Sequence, residues 1–150
     1  MKSIDEIMRG DHERLDALLA ASAQAIEGLR WEEGATLLAQ FQHDIIENHI
    51  AVEESMLFPA FEAQEGGDAN HPLTSLLRKG HKDLRVFFEE MAEAISARDT
   101  EEFEGLLSTV QAILKTHDAK EETELYPFLS KAFPENGEAF TQAMAALKRK

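Results

Sequence analysis

Cysteine is absent from the chain. Disulfides, thiolate metal ligands and a cysteine nucleophile are therefore excluded. Basic residues are scarce: 15 Lys and Arg stand against 29 Asp and Glu, for a formal charge of −14. That balance argues against nucleic acid or an anionic membrane as a partner, and it favours cations near the protein. No apolar run approaches the about 20 residues that span a bilayer. The N-terminal stretch MKSIDEIMRGDHERL carries acids where a secretion signal needs an apolar core, so a cytoplasmic protein is expected. Nor does any segment alternate apolar and polar residues over the length of a strand. What remains is a chain of 150 residues, 43% hydrophobic and 29% charged. It reads as one domain, residues 1–150, long enough to bury a core.

Apolar residues instead recur at helical spacing. Ser3-Ile4-Asp5-Glu6 has the pattern of a capping box. From there Ile4, Met8, Leu15, Leu19 and Ile26 trace a first helix that should stop near Gly28. A second pattern runs from Trp31 to Phe58, and Pro59 is expected to kink or end it. Gln64 to Pro72, with Gly66-Gly67 inside it, reads as a loop. A third helix is expected over about 73–98 and a fourth over about 101–129, with Thr100 as N-cap and Pro127 as punctuation. A short amphipathic helix at about 138–148 would close the chain. Helices of about 25 residues are about 38 Å long. Four of them with short connections make an all-α, antiparallel up-down-up-down four-helix bundle over about residues 4–130.

Two stretches of this pattern are copies. HIAVEESMLFP at 49–59 and HDAKEETELYP at 117–127 share the template H-x-x-x-E-E-x-x-L-(F/Y)-P. A further histidine precedes each copy, His12 by 37 residues and His81 by 36. Residues four apart lie on one helix face, so His49 and Glu53 address one point, and His117 and Glu121 another. Both pairs lie on apolar stripes, the first flanked by Ile45, Ile46 and Met56. His12 and His81 lie on such stripes too, so all six donors should point into the core. A buried carboxylate without a partner costs several kcal/mol, in a fold whose net stability is about 5–15 kcal/mol. Metal ions remove that difficulty, and imidazole with carboxylate suits iron, manganese or zinc. One His-x-x-x-Glu alone is usually a surface ion pair. Two matched copies, each with its upstream histidine, point to a metal centre.

The remaining candidates read more plainly. His43 and His71 are expected at the surface. Glu124, on the ligand stripe, either hydrogen-bonds a ligand imidazole or reaches solvent, and solvent is favoured. Tyr126 and Phe58 should pack at the helix ends. Gly10 and Gly80, just before His12 and His81, mark either close packing or merely tolerated glycines.

His12, His49, Glu53, His81, His117 and Glu121 reproduce one for one the motif of the hemerythrin-like family, also called the HHE cation-binding domain. The chain resembles that family across the whole bundle. The resemblance implies a non-haem di-iron centre, with manganese or zinc as alternatives. Glu53 and Glu121 would bridge the irons beside an oxo or hydroxo ligand, and the four histidines would be terminal ligands. Oxygen-carrying members place two histidines four apart on the third helix. Here the positions four before and four after His81 hold Leu77 and Arg85. The missing ligand disfavours reversible oxygen storage and favours sensing or redox chemistry at an open position. Glu122, five after His117, stands at an offset the family also uses; Glu121 is preferred because it repeats Glu53. Ferritin-like proteins, the architectural rival, use Glu-x-x-His, which no helix of this chain carries.

The first expectation is thus a di-iron protein that binds oxygen, nitric oxide, peroxide or a related small oxidant, for sensing, scavenging or iron handling. The second is a redox enzyme turning over peroxide or nitric oxide at the same centre. The third is a metal-free interaction bundle. A homodimer and an unidentified protein partner are left open.

Overall fold

Ser3 starts the first helix as its capping-box pattern predicts: its side chain accepts a hydrogen bond from the Glu6 N–H at 3.1 Å. The computed structural model describes residues 3–67, 71–135, 139, 140 and 142. Among them, four long helices form the bundle and no strand occurs. Helix α1 is Ile4–Glu27. Helix α2 covers residues 31–64 and combines α-helical Trp31–His43 and Phe58–Gln64 with π-helical Asp44–Ile50 and Glu53–Leu57. Helix α3 is Pro72–Ser96. Helix α4 joins α-helical Thr100–Lys120, π-helical Glu121–Leu125 and α-helical Tyr126–Ala132. Of the closing helix expected at 138–148, residues 139, 140 and 142 are helical, with Phe140 buried; the rest lies outside the described residues. No helix among the described residues is long and apolar enough to cross a membrane.

Each hairpin is closed by the same device. Leu29 and Arg98 take left-handed backbone conformations, with φ of 61° and 54°. Behind them the Arg30 N–H reaches Ala25 O, and the Asp99 N–H reaches Ala94 O. Each six-residue closure satisfies carbonyls that a helix end leaves open. Helices α1 and α2 approach closely at Gly34, where an added Cβ would press on the Ile26 side chain. The N-cap of α4 is Asp99, not Thr100: its carboxylate accepts from the Glu102 N–H at 3.0 Å.

Pro59 and Pro127 end neither helix. A proline has no N–H to give, and its ring crowds the carbonyl four residues back. Here the residue before each proline bonds five residues back instead: Phe58 N–H to Glu53 O, and Tyr126 N–H to Glu121 O. The wide turn makes room for the ring, and the helices run on to Gln64 and Ala132. Widening also shifts the facing register. In a regular helix the residue seven after each motif histidine would face inward. Here Met56 and Glu124 at that offset are exposed, while Leu57 and Leu125, at offset eight, are buried. Met56 therefore does not flank the site as its spacing suggested. Single π turns of this kind are rare and gather at functional sites.

Two apolar clusters fill the bundle. One contains Leu15, Phe41, Ile45, Leu84, Phe88 and Leu114, with Phe41 and Phe88 edge to face at 5.4 Å. The other contains Met8, Val52, Phe58, Leu77, Leu125 and Tyr126. Each of the four motif histidines falls in sequence between a member of one cluster and a member of the other. The six donors therefore form a polar layer between two dry ones.

Candidate metal centre

His12 on α1, His49 and Glu53 on α2, His81 on α3, and His117 and Glu121 on α4 are all buried, and they meet in that layer. Glu53, His81, His117 and Glu121 each offer an atom within 4.8 Å of the others; so do His12, His49 and Glu121. Glu121 belongs to both groups. Glu53 also reaches both, its Oε1 lying 3.1 Å from His81 Nε2 and 3.6 Å from His49 Nε2.

These atoms are near one another without being satisfied. Glu53 Oε1, His81 Nε2, His117 Nε2 and both Glu121 oxygens are buried and make no well-aligned hydrogen bond. The 3.1 Å approach of His81 to Glu53 thus supplies charge attraction but not a directed bond. Buried polar atoms rarely go unpaired, and leaving one so costs about 1–3 kcal/mol. Here five of the seven such atoms among the described residues converge on one place; the other two are the amide atoms of Asn48. A cation is the partner that such an inward set of imidazole nitrogens and carboxylate oxygens fits.

The outward nitrogens, by contrast, are held. His49 Nδ1 is 2.8 Å from Asp11 Oδ2, and Arg14 grips the same carboxylate. His12 Nδ1 is 2.7 Å from Glu122 Oε2, and Arg9 contacts the other oxygen, Oε1, at 3.0 Å. His81 Nδ1 is 3.3 Å from Glu54 Oε2, and Arg85 holds the other oxygen at 3.1 Å. Each carboxylate keeps a proton on Nδ1 and so turns the Nε2 lone pair inward, which is how metal-binding histidines are oriented. The second glutamate of each E-E pair thus serves the hairpin opposite: Glu54 serves His81, and Glu122 serves His12. Glu122 is part-exposed and turned to Nδ1, which leaves Glu121 as the carboxylate at the centre.

His117 is the exception. The position matching Asp11 is Gly80, where a Cβ would stand 2.7 Å from His117 Nδ1. A Cβ at Gly10 would meet nothing within 4 Å. The two glycines therefore differ in kind. Gly10→Ala is expected to stabilise the protein by up to about 1 kcal/mol, through helix propensity alone. Gly80→Ala is expected to displace the His117 ring and weaken metal binding. Thermal melts and metal titration of the two variants, side by side, check this; equal behaviour would contradict it.

Two further side chains lie against the centre. Tyr126 is buried as expected, but its hydroxyl also donates to Glu53 Oε2 at 2.6 Å and lies 3.1 Å from His12 Nε2. Asp118 Oδ1 is 3.5 Å from His12 Nε2. Glu124 pairs with Lys120 and reaches solvent. His43 is exposed, whereas His71 caps α3, accepting from the Leu73 N–H. Leu77 is buried in a core cluster and Arg85 points to Glu54, so neither supplies the missing fifth histidine.

Without metal, the layer is a strained set of charges. Burial alone would lower the His12 pKa, but Glu121 and Asp118 lift it to about 10. His81 behaves alike: burial lowers it, while Glu53 and Glu54 raise it to about 9. Burial, then the Glu121 charge, pushes Glu53 up. Burial opposes ionisation of Glu121 too, but contacts with Glu53, His117 and His12 hold it well below the usual range. Asp11 is held at about 2: burial would raise it, and the bonds and charges of His49 and Arg14 together outweigh that.

A four-helix bundle with a buried layer of imidazoles and carboxylates is the build of a helical cation-binding domain. The chain belongs to the family of the hemerythrin HHE cation binding domain, whose pattern matches residues 3–129. No curated protein and no solved structure is significantly similar to it.

Proposed function

We propose that the layer holds two iron ions and that the protein uses them to bind a small oxidant, with oxygen, nitric oxide and peroxide as the candidates. In this reading His81 and His117 serve one ion, His12 and His49 the other, and Glu53 and Glu121 span both. The observation that carries it is the convergence of buried donor atoms into two groups that share Glu121, with the Glu53, His81, His117 and Glu121 atoms lacking a hydrogen-bond partner. A reduced iron pair supplies electrons and an open coordination position; the chain supplies everything else.

Asp11, Glu54 and Glu122 fix the tautomers of three histidines. Tyr126 holds its phenolic proton on Glu53 Oε2, beside the centre. The cavity against the donors is small, about 10 Å³ of room for a water's centre, and lined mainly by Leu15, Phe41, Ile45, Ile50, Leu84 and Leu114 besides the polar groups. That is room for about one water-sized molecule. It suits a diatomic molecule and excludes an organic substrate. Sensing or scavenging, with the whole chain acting as one unit, fits such a site.

The test is spectroscopic. Iron-loaded, reduced protein exposed anaerobically to nitric oxide should give a saturable change in its visible and electron-paramagnetic spectra. His81→Ala should lose that change. Fully loaded protein that ignores nitric oxide, oxygen and peroxide alike would end the small-ligand reading. Rapid peroxide consumption that His81→Ala abolishes would favour the enzyme instead.

A further inference from the structure

The inner cavity has a neighbour. An open groove of about 440 Å³ lies on the outside, lined by Asp16, Leu19, Gln111, Leu114, Lys115, Asp118, Ala119 and Glu122. Asp16, Leu114 and Asp118 line both the groove and the inner cavity. They are the wall between solvent and the metal layer. Asp16 comes from α1 and the other two from α4, so the wall lies at the seam between these helices. Two of its three members are carboxylates. Among the described residues no Lys or Arg pairs with either within ion-pair distance. Beyond the wall the cavity is lined by Glu53, His81 and His117, whose buried Oε1 and Nε2 atoms have no hydrogen-bond partner.

A second opening differs in character. It lies on the far side of His117, is about 350 Å³, and is lined by Leu76, Ile113, Gly80, Lys79, Lys120 and Asp83 among others. Its lining is mostly apolar and carries two lysines. A divalent cation approaching there would meet His117 through an apolar mouth, with no carboxylate pair leading inward.

We propose that the seam of Asp16, Leu114 and Asp118 is the route by which divalent cations reach the metal layer. The physical reason is dehydration. A hydrated Fe²⁺ must shed water before it enters a space of one-water size. Oxygen ligands offered in sequence replace that water: first Asp16 from the groove, then Asp118 at the wall, then Glu53 inside. The −14 formal charge draws cations to the protein generally; the seam makes the approach local. Leu114, between the two carboxylates, keeps bulk water out when no ion passes. This proposal rests on the reading of the layer as a metal centre.

The experiment is stopped-flow loading of metal-free, full-length protein with anaerobic Fe²⁺. For Asp16→Asn, loading should slow severalfold while the final iron content and spectrum match the parent; adding Asp118→Asn should slow it at least tenfold. Lys115→Glu, on the groove rim, should speed loading severalfold at low salt, an advantage lost at high salt. Lys79→Glu, in the opposite opening, should change nothing. The route is overturned if the double variant loads at the parent rate, or if Lys115→Glu and Lys79→Glu act alike. It is also overturned if the double variant loses an equivalent of iron, since Asp118 would then be a ligand. If the parent takes up no Fe²⁺, the reading of the centre itself fails.

Discussion

Glu53→Gln should raise the stability of the metal-free protein and, in the same variant, abolish binding of the metal pair. Glu53 is fully buried, and both burial and the Glu121 charge oppose its ionisation. Its folded pKa lies above the unfolded value, so ionising it at neutral pH costs folding free energy. Glutamine removes the charge, keeps the shape and still accepts the Tyr126 hydroxyl. Whole buried ion pairs replaced by neutral groups gain about 1–4 kcal/mol, whereas removing one partner costs about 3–5 kcal/mol; burial and the Glu121 charge outweigh the His49 and His81 contacts at Glu53, which puts this variant on the gaining side. At this size each kcal/mol moves Tm by about 2–4 °C. The loaded protein should respond in the opposite sense, because a neutral amide is a poor bridge between two cations. Parent metal protein is therefore expected to outlast the variant, and parent apoprotein to melt first. Calorimetry in chelator and in Fe²⁺ checks both halves. A variant that melts early in chelator, or that still holds two irons, would show that Glu53 is an ordinary structural carboxylate.

The second large effect is a reversal of pH dependence on loading. In the apoprotein, His12 at about 10 and His81 at about 9 are raised above the usual 6.5. A raised histidine contributes stability that is complete below its unfolded pKa and is lost as pH rises through the folded one. Asp118 is pushed up to about 7 by burial, with Glu121 adding to it against the pull of His12. Its contribution also falls as pH rises, between about 4 and 7. Asp11, at about 2, works the other way and is lost only in acid. The apoprotein should thus be most stable near pH 4–5. By pH 10 it should have lost stability on the order of several kcal/mol. Metal needs the histidines unprotonated. Iron affinity should therefore climb with pH by up to about a hundredfold per unit while two protons are displaced, and the Tm of loaded protein should rise over the same range. Parallel pH profiles for loaded and unloaded protein would contradict this.

The donors were legible because helix geometry makes a spacing of four a statement about direction. His49 with Glu53, and His117 with Glu121, needed only a helix to converge. Apolar neighbours such as Leu15, Leu84 and Leu114 then told which way that helix faced. The groups that orient the histidines were harder. Glu54 and Glu122 left a trace in the doubled glutamate of each copy, but their partners lie across the bundle, which spacing along one helix does not encode. Asp11 left none, since the second copy has Gly80 in its place. Tyr126 was expected in the core for its ring; that its hydroxyl would find Glu53 depended on the wide turn before Pro127. The same turns explain why the helices run on past Pro59 and Pro127, which were expected to kink or end them, and why Met56 faces out instead of flanking the site. A residue that widens one turn moves every later side chain around the helix, and a fixed period of 3.6 misses that.

Anomalous diffraction at the iron edge from crystals of iron-loaded protein tests the central claim most directly. Two peaks about 3.5–4 Å apart, between the Glu53 and Glu121 carboxylates and each within bonding reach of two of the four histidine Nε2 atoms, are the expected result. Full occupancy at any other position, or loaded crystals with no peak among these six side chains, would contradict it.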